Sequence, residues 1–163
     1  MTAQNIIQSL AMLLKIQQQL NDLTIEKTEF LKQNEIKKLE ELLKAEEKQI
    51  KLLGKADENR QKAVEDFLNR KGIVIEDVTL SSLYPFMEEN DREIIRKLHA
   101  KLSEEIIKMK EQNELNQQLT KQSLQFVNAS LEMLSPEPEE VTYKHPENKK
   151  TDGSHRSFFD SKA

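Results

Sequence analysis

The sequence predicts an all-α fold: an elongated antiparallel bundle or coiled coil of three long helices, with a possible short connector helix and a disordered C-terminal tail. Three observations carry that expectation. Before residue 135 the only chain breakers are Gly54, Gly72 and Pro85, whereas sheets need turn residues every several positions. Apolar residues recur at seven-residue steps with flanking positions filled. With 36% hydrophobic and 33% charged residues over 163 positions, the chain has too little apolar material for a compact globule and enough for narrow helical seams.

The first helix is expected from about Ala3 to Lys32, with Ile6, Leu10, Leu13, Leu20 and Leu31 on the heptad rhythm and Ile7, Leu14, Leu23 and Phe30 beside it. Gln17, Gln18 and Gln19 interrupt the stripe. A second helix is expected from Asn34, read as an N-cap, through Leu39, Leu42, Leu43, Ile50, Leu53, Val64 and Phe67 to Arg70-Lys71-Gly72. Basic residues and an αL glycine both suit a helix C-terminus. A connector over 73–89 leaves room for a short helix from Thr79, stopped at Pro85. The third helix is expected at Asn90-Asp91-Arg92-Glu93, a capping-box pattern. Its stripe runs through Ile95, Leu98, Leu102, Ile106, Met109, Leu119, Phe126, Leu131 and Leu134.

Two units follow: a helical domain over 1–134 and a flexible tail over 135–163. A helix from Asp91 to Leu134 would be about 65 Å long, against a diameter of roughly 40 Å for a compact domain of this length, so a sphere is excluded. Residues 34–70 carry nine basic and nine acidic side chains, and residues 90–134 carry seven of each. Glu40/Lys44, Glu47/Lys51, Glu58/Lys62, Glu93/Lys97 and Glu104/Lys108 stand in the favourable i,i+4 order. These charges read as solvated helix faces.

Several functions are disfavoured on chemistry. No cysteine is present, so there is no disulfide framework or thiolate metal site, and a reducing compartment is expected. Glu-x-x-His pairs of the di-iron bundle kind are missing: Arg96 precedes His99 by three, Thr142 precedes His145, and only His155, with Asp152, has a carboxylate there. His99 reads as an ordinary residue of the third helix. A serine elbow and a phosphate-cradling glycine loop are both absent, and a narrow bundle is expected to lack a wide apolar pocket for a small-molecule substrate. Neither an enzyme nor a cofactor is expected, and no nucleotide site is visible to drive release of a partner. The net charge is −4 with no basic face for phosphates, so nucleic acid is excluded as a partner. No run of about 18 apolar residues exists, and the first basic residue, Lys15, follows rather than precedes the apolar start. Membrane insertion and secretion are not expected.

The segment 115–131 is more informative. Asn116, Ser123 and Ser130 fall near seam positions, and Phe126 and Val127 form a wide apolar patch. It reads two ways: a core layer whose polar members set register, or an incompletely buried groove for a partner's amphipathic helix. In the tail, Tyr143, Phe158 and Phe159 stand isolated among polar residues, as docking anchors or as parts of an inert extension.

These residues carry a family resemblance. Leu10–Leu14 with Leu20, the stretch Glu26-Lys27-Thr28 to Phe30-Leu31, Asn59-Arg60 before Val64–Leu68, Val78-Thr79-Leu80-Ser81-Ser82-Leu83 and above all 115–128 resemble, in order and spacing, the FlgN flagellar export chaperones of bacteria. The resemblance covers nearly all of 3–134, and the Tyr143 context and final Phe159-Asp160-Ser161-Lys162-Ala163 also look like family tail features. It implies a cytoplasmic, non-enzymatic chaperone of flagellar type III export. Its clients would be the hook–filament junction proteins FlgK and FlgL, held by their C-terminal amphipathic helices and brought to the export gate. By position, the client surface would comprise Leu119, Phe126, Val127, Leu131 and Leu134, with Tyr143, Phe158 and Phe159 as tail docking residues and Tyr143 the candidate for the gate. A generic coiled-coil adaptor or scaffold working through homo-oligomerisation is the competing reading.

Overall fold

The computed structural model describes residues 3–135. Helix α1 spans Gln4–Gln33, α2 Ile36–Lys71, α3 Leu80–Leu83 and α4 Glu89–Leu134, with a 3-10 turn at Tyr84–Phe86 between the last two. The described residues contain no strand. At 1.5 Å per residue the three long helices measure about 45, 54 and 69 Å.

Each boundary has a local cause. Asn34 adopts the left-handed conformation at φ 54°, and the N–H groups of Asn34 and Glu35 donate to the carbonyls of Leu31 and Phe30. It therefore closes α1 rather than opening α2. The asparagine is right for the boundary but on the other side of it, because Asn serves both an N-cap and an αL cap. Gly72, at φ 66°, closes α2 in the same manner, as expected. The short connector helix forms where Thr79 places it: Thr79 and Ser82 exchange side-chain-to-backbone bonds at both ends of a capping box. Pro85 then sits inside the 3-10 turn.

The capping box expected at Asn90 and Glu93 does not form. Helix α4 begins two residues earlier, with Glu88 rather than Asn90 at the N-cap position and no side-chain cap. Glu93 pairs instead with Lys97 at 2.7 Å. Asp91 turns inward and accepts the Ala3 N–H at 2.8 Å, so one carboxylate serves the N-terminal ends of both α1 and α4. Negative charge there is favoured by both helix dipoles.

Helix α1 is the centre of the molecule. It packs antiparallel to α2 on one side and parallel to α4 on the other, while α2 and α4 make no comparable contact. At the end where α1 and α4 begin, the core is dry: Ile6, Leu10, Leu13, Leu20, Val64, Phe67, Leu68, Leu83, Met87 and Ile95 are buried together. The connector residues Leu83 and Met87 close that end. Farther along, the α1–α4 seam turns polar. Gln17, Asn21, Thr24 and Thr28 on α1 are buried and bond to α4. Asn21 donates to the Glu105 carbonyl at 2.9 Å, Thr28 donates to Asn116 at 2.6 Å, and Asn116 donates to the Thr24 carbonyl at 3.0 Å. The polar interruption at Gln17 is thus an interface residue, whereas Gln18 and Gln19 are exposed.

Because α2 and α4 stand apart, an open trough of about 590 Å³ runs between them over α1, lined by Leu10, Leu13, Ile50, Leu53, Leu102 and Ile106 among others. The expectation that a narrow bundle leaves no sizeable apolar pocket is corrected. That argument assumed three mutually touching helices, and two of them do not touch. Of the five expected i,i+4 ion pairs, Glu47–Lys51, Glu93–Lys97 and Glu104–Lys108 form; the other two are not among the ion pairs of the described residues.

Candidate functional site

The parallel register of α1 and α4 decides what is free. Ala3 meets Asp91 and Thr28 meets Asn116, both separations being 88 residues. Carried forward, Gln33 at the end of α1 is level with about Lys121. Residues 122–134 of α4 therefore extend past the α1–α2 turn about 20 Å as a helix alone among the described residues.

The two readings of 115–134 divide along this line. Asn116 is buried and bonded to Thr24 and Thr28, and Leu119 is half-buried, so this part is a register-setting layer of the bundle. Beyond it Phe126, Val127, Leu131 and Leu134 are exposed, Phe126 at 74% and Leu134 at 79%. The structure thus brings four of the five expected residues onto the projecting helix and leaves Leu119 at its root. Leu124 and Met133 are exposed on the same segment and were not among the expected residues. Leu124 had a signal in the sequence: Thr120, Leu124, Val127, Leu131 and Leu134 follow the 4-3-4-3 spacing of a helix seam.

Hydroxyls on this segment turn back to their own helix. Thr120 donates to the Asn116 carbonyl and Ser130 to the Phe126 carbonyl, both at 2.8 Å. Ser135 caps the end by donating its side chain to the Leu131 carbonyl at 3.0 Å. Their polarity is spent within the helix, which leaves the strip more apolar than its composition suggests. Its two charged side chains, Lys121 and Glu132, stand near its ends. Tyr143, Phe158 and Phe159 lie outside the described residues.

Elsewhere the ionisable groups are structural. Salt-bridging Lys51 and Lys97 hold the Glu47 and Glu93 carboxyls below the usual range. Arg60 does the same for Asp57 on the lip of the trough. The glutamates at 104 and 105 push Lys108 upward. His99 is exposed and lies on the α4 side of the trough. Among the described residues no group of three His, Asp or Glu side chains comes together as a metal site, and no helix is long and apolar enough to cross a membrane.

Fold and surface together describe a slender all-α protein with a lone apolar helix end and no cluster of reacting groups among the described residues. The FlgN protein family model matches residues 1–151. The chain belongs to the FlgN family, a family of flagellar export chaperones rather than of enzymes. It is 32% identical over 164 residues to the uncharacterized protein YvyG of Bacillus subtilis (strain 168), with all of both chains covered. No solved structure matches it.

Proposed function

We propose that the protein is the cytoplasmic chaperone of the hook–filament junction proteins FlgK and FlgL. It holds their C-terminal amphipathic helices on the projecting end of α4 and delivers them to the cytoplasmic domain of the export gate. The observation that carries this reading is the strip Phe126, Val127, Leu131 and Leu134, exposed on a helix end that has no neighbour among the described residues. A lone apolar helix face is costly in water and matches the helix-in-groove and helix-on-helix modes by which amphipathic segments are recognised. Client segments that polymerise through an apolar helix face would be kept apart by the same burial. Tyr143, Phe158 and Phe159 supply the gate and tail contacts in this reading.

The test is co-purification with the cognate junction proteins. The double variant Phe126→Asp/Leu131→Asp is expected to keep its helical circular dichroism and melting temperature, because neither side chain is in the core, and to lose client capture by at least about tenfold. Undiminished capture by the folded variant would overturn the assignment. Leu20→Asp, which places a charge in the fully buried seam, is the contrasting variant expected to unfold.

A further inference from the structure

The three long helices stand at three corners of a four-helix arrangement. Helix α1 packs against both α2 and α4, and the trough between those two lies at the corner diagonal to α1. One residue in its wall has no local reason to be there. Gly54 lies inside α2, where glycine costs about 1 kcal/mol against alanine, and a Cβ there would meet nothing within 4 Å. No neighbour among the described residues requires the missing side chain; what it leaves is room over the α2 backbone for a group seated in the trough. That group must be apolar, since Leu10, Leu13, Ile50, Leu53, Leu102 and Ile106 line most of the surface. We infer that the trough is taken by Phe158 and Phe159 of the same chain, reaching back along α4, with Asp160 beside Arg60 and His99.

Reach selects these two residues. The trough comes nearest the tip of α4 at Ile106, about 44 Å short of Ser135 along the helix. Tyr143, eight residues beyond Ser135, spans at most about 29 Å even when fully extended, so it cannot arrive. Phe158, 23 residues beyond Ser135, spans up to about 80 Å. Phe158 and Phe159 are therefore the aromatic residues after α4 that can arrive, and they are adjacent. Aromatic side chains bury roughly 150–250 Å² each, and a tether of this order presents them at an effective concentration near the millimolar range, ahead of a free partner in dilute solution. Charge gives the direction. The ionisable residues of the lining, Asp57, Arg60 and His99, lie past Gly54 and Ile106 for a chain arriving from the tip of α4. Asp57 is already held by Arg60 at 2.8 Å and Gln61 at 2.9 Å. That leaves Arg60 and His99 to donate to a carboxylate, and Asp160 directly follows the two rings.

Drawing the rings off to another contact would uncover the trough. That consequence rests on the tail role proposed above, while the seating does not. Because the chain has no cysteine, cysteine pairs report on the seating in the purified full-length protein, at low micromolar concentration and without a client. Under mild oxidation Ile106→Cys/Ser161→Cys is expected to close an intrachain disulfide at least about tenfold faster than Ile107→Cys/Ser161→Cys. Both isoleucines are exposed and equally far from the tip of α4, but Ile106 lines the trough and Ile107 does not. Equal rates would overturn the proposal. Adding Phe158→Ser/Phe159→Ser should bring the fast pair down to the control rate, and undiminished closure would remove the rings as the occupant. Gly54→Leu, which fills the room at that position, should slow closure while helical circular dichroism persists; unchanged closure would contradict seating over Gly54. Asp160→Lys should slow it about twofold to fivefold, since exposed ion pairs contribute factors of a few, and no effect would overturn the placement beside Arg60. Mixed chains carrying Ile106→Cys and Ser161→Cys singly should link far more slowly than the double variant closes. Linking at the same rate would make the occupant a second copy's segment and overturn the intrachain assignment. Closure in a protein that fails to capture clients would leave the seating standing and sink only the client assignment.

Discussion

Asn34 and Gly72 hold the only positive φ values among the described residues, and each ends one long helix of the α1–α2 hairpin. At Gly72 the cost of any Cβ is backbone strain, because the space around it is empty. Gly72→Ala is expected to destabilise the protein by about 1 kcal/mol. Gly54 is the opposite case: it lies inside α2 with helical φ, and a Cβ there would meet nothing within 4 Å. Gly54→Ala should therefore stabilise by about 0.5–1 kcal/mol, through lower unfolded-state entropy. Paired melting curves, with shifts of opposite sign and about 2–4 °C each, check both. The two glycines thus differ in sign because one ends a helix in the left-handed region and the other lies inside one.

The α1–α4 interface divides into an apolar half and a polar half, and the polar half sets the register that frees the end of α4. Thr28 sits at its centre, accepting from Gln112 while donating to Asn116. Asn116→Leu alone would remove the Thr28–Asn116 bond and the Asn116 bond to the Thr24 carbonyl, leaving the Thr28 hydroxyl its longer bond to that carbonyl at 3.1 Å, at an expected cost of about 1 kcal/mol. Thr28→Val with Asn116→Leu removes both sides of the central bond and should recover much of that loss. It should also relax the specification of register, which is the best-attested use of buried polar seam residues. A double-mutant cycle in urea gives the first quantity, and amide exchange protection across 105–120 reports the second. Additivity of the two single losses would contradict the geometry.

The whole molecule is a rod whose stability is spread along its length, with solvated ion pairs decorating the faces. Glu47, Glu93 and Asp57 have carboxyls held below their ordinary values of 4.5, 4.5 and 3.8. A carboxyl depressed in the folded state contributes stability that is present above its unfolded value and is lost as pH falls through the folded one. Thermal stability should therefore be flat from neutrality down to about pH 5 and decline below it. Salt at 1 M should flatten that decline, because these are exposed pairs. Lys108 works in the other direction: its raised value contributes stability that is complete below its ordinary 10.5 and fades above it.

The sequence alone was enough for the class, the three long helices, the Thr79 connector helix and the αL glycine at 72, because periodicity and breakers act locally. It also marked Phe126, Val127, Leu131 and Leu134 as apolar positions of one helix, while leaving open whether they were core or surface. Only tertiary structure decided that, since exposure depends on the register of α4 against a shorter α1, and register is set by contacts some 88 residues apart such as Thr28 with Asn116. The same long-range packing turned Asp91 from a helix-capping charge into a bridge to Ala3 and held α2 away from α4 to open the trough. Local spacing fixes what a residue can join; which neighbour arrives beside it is a property of the folded chain.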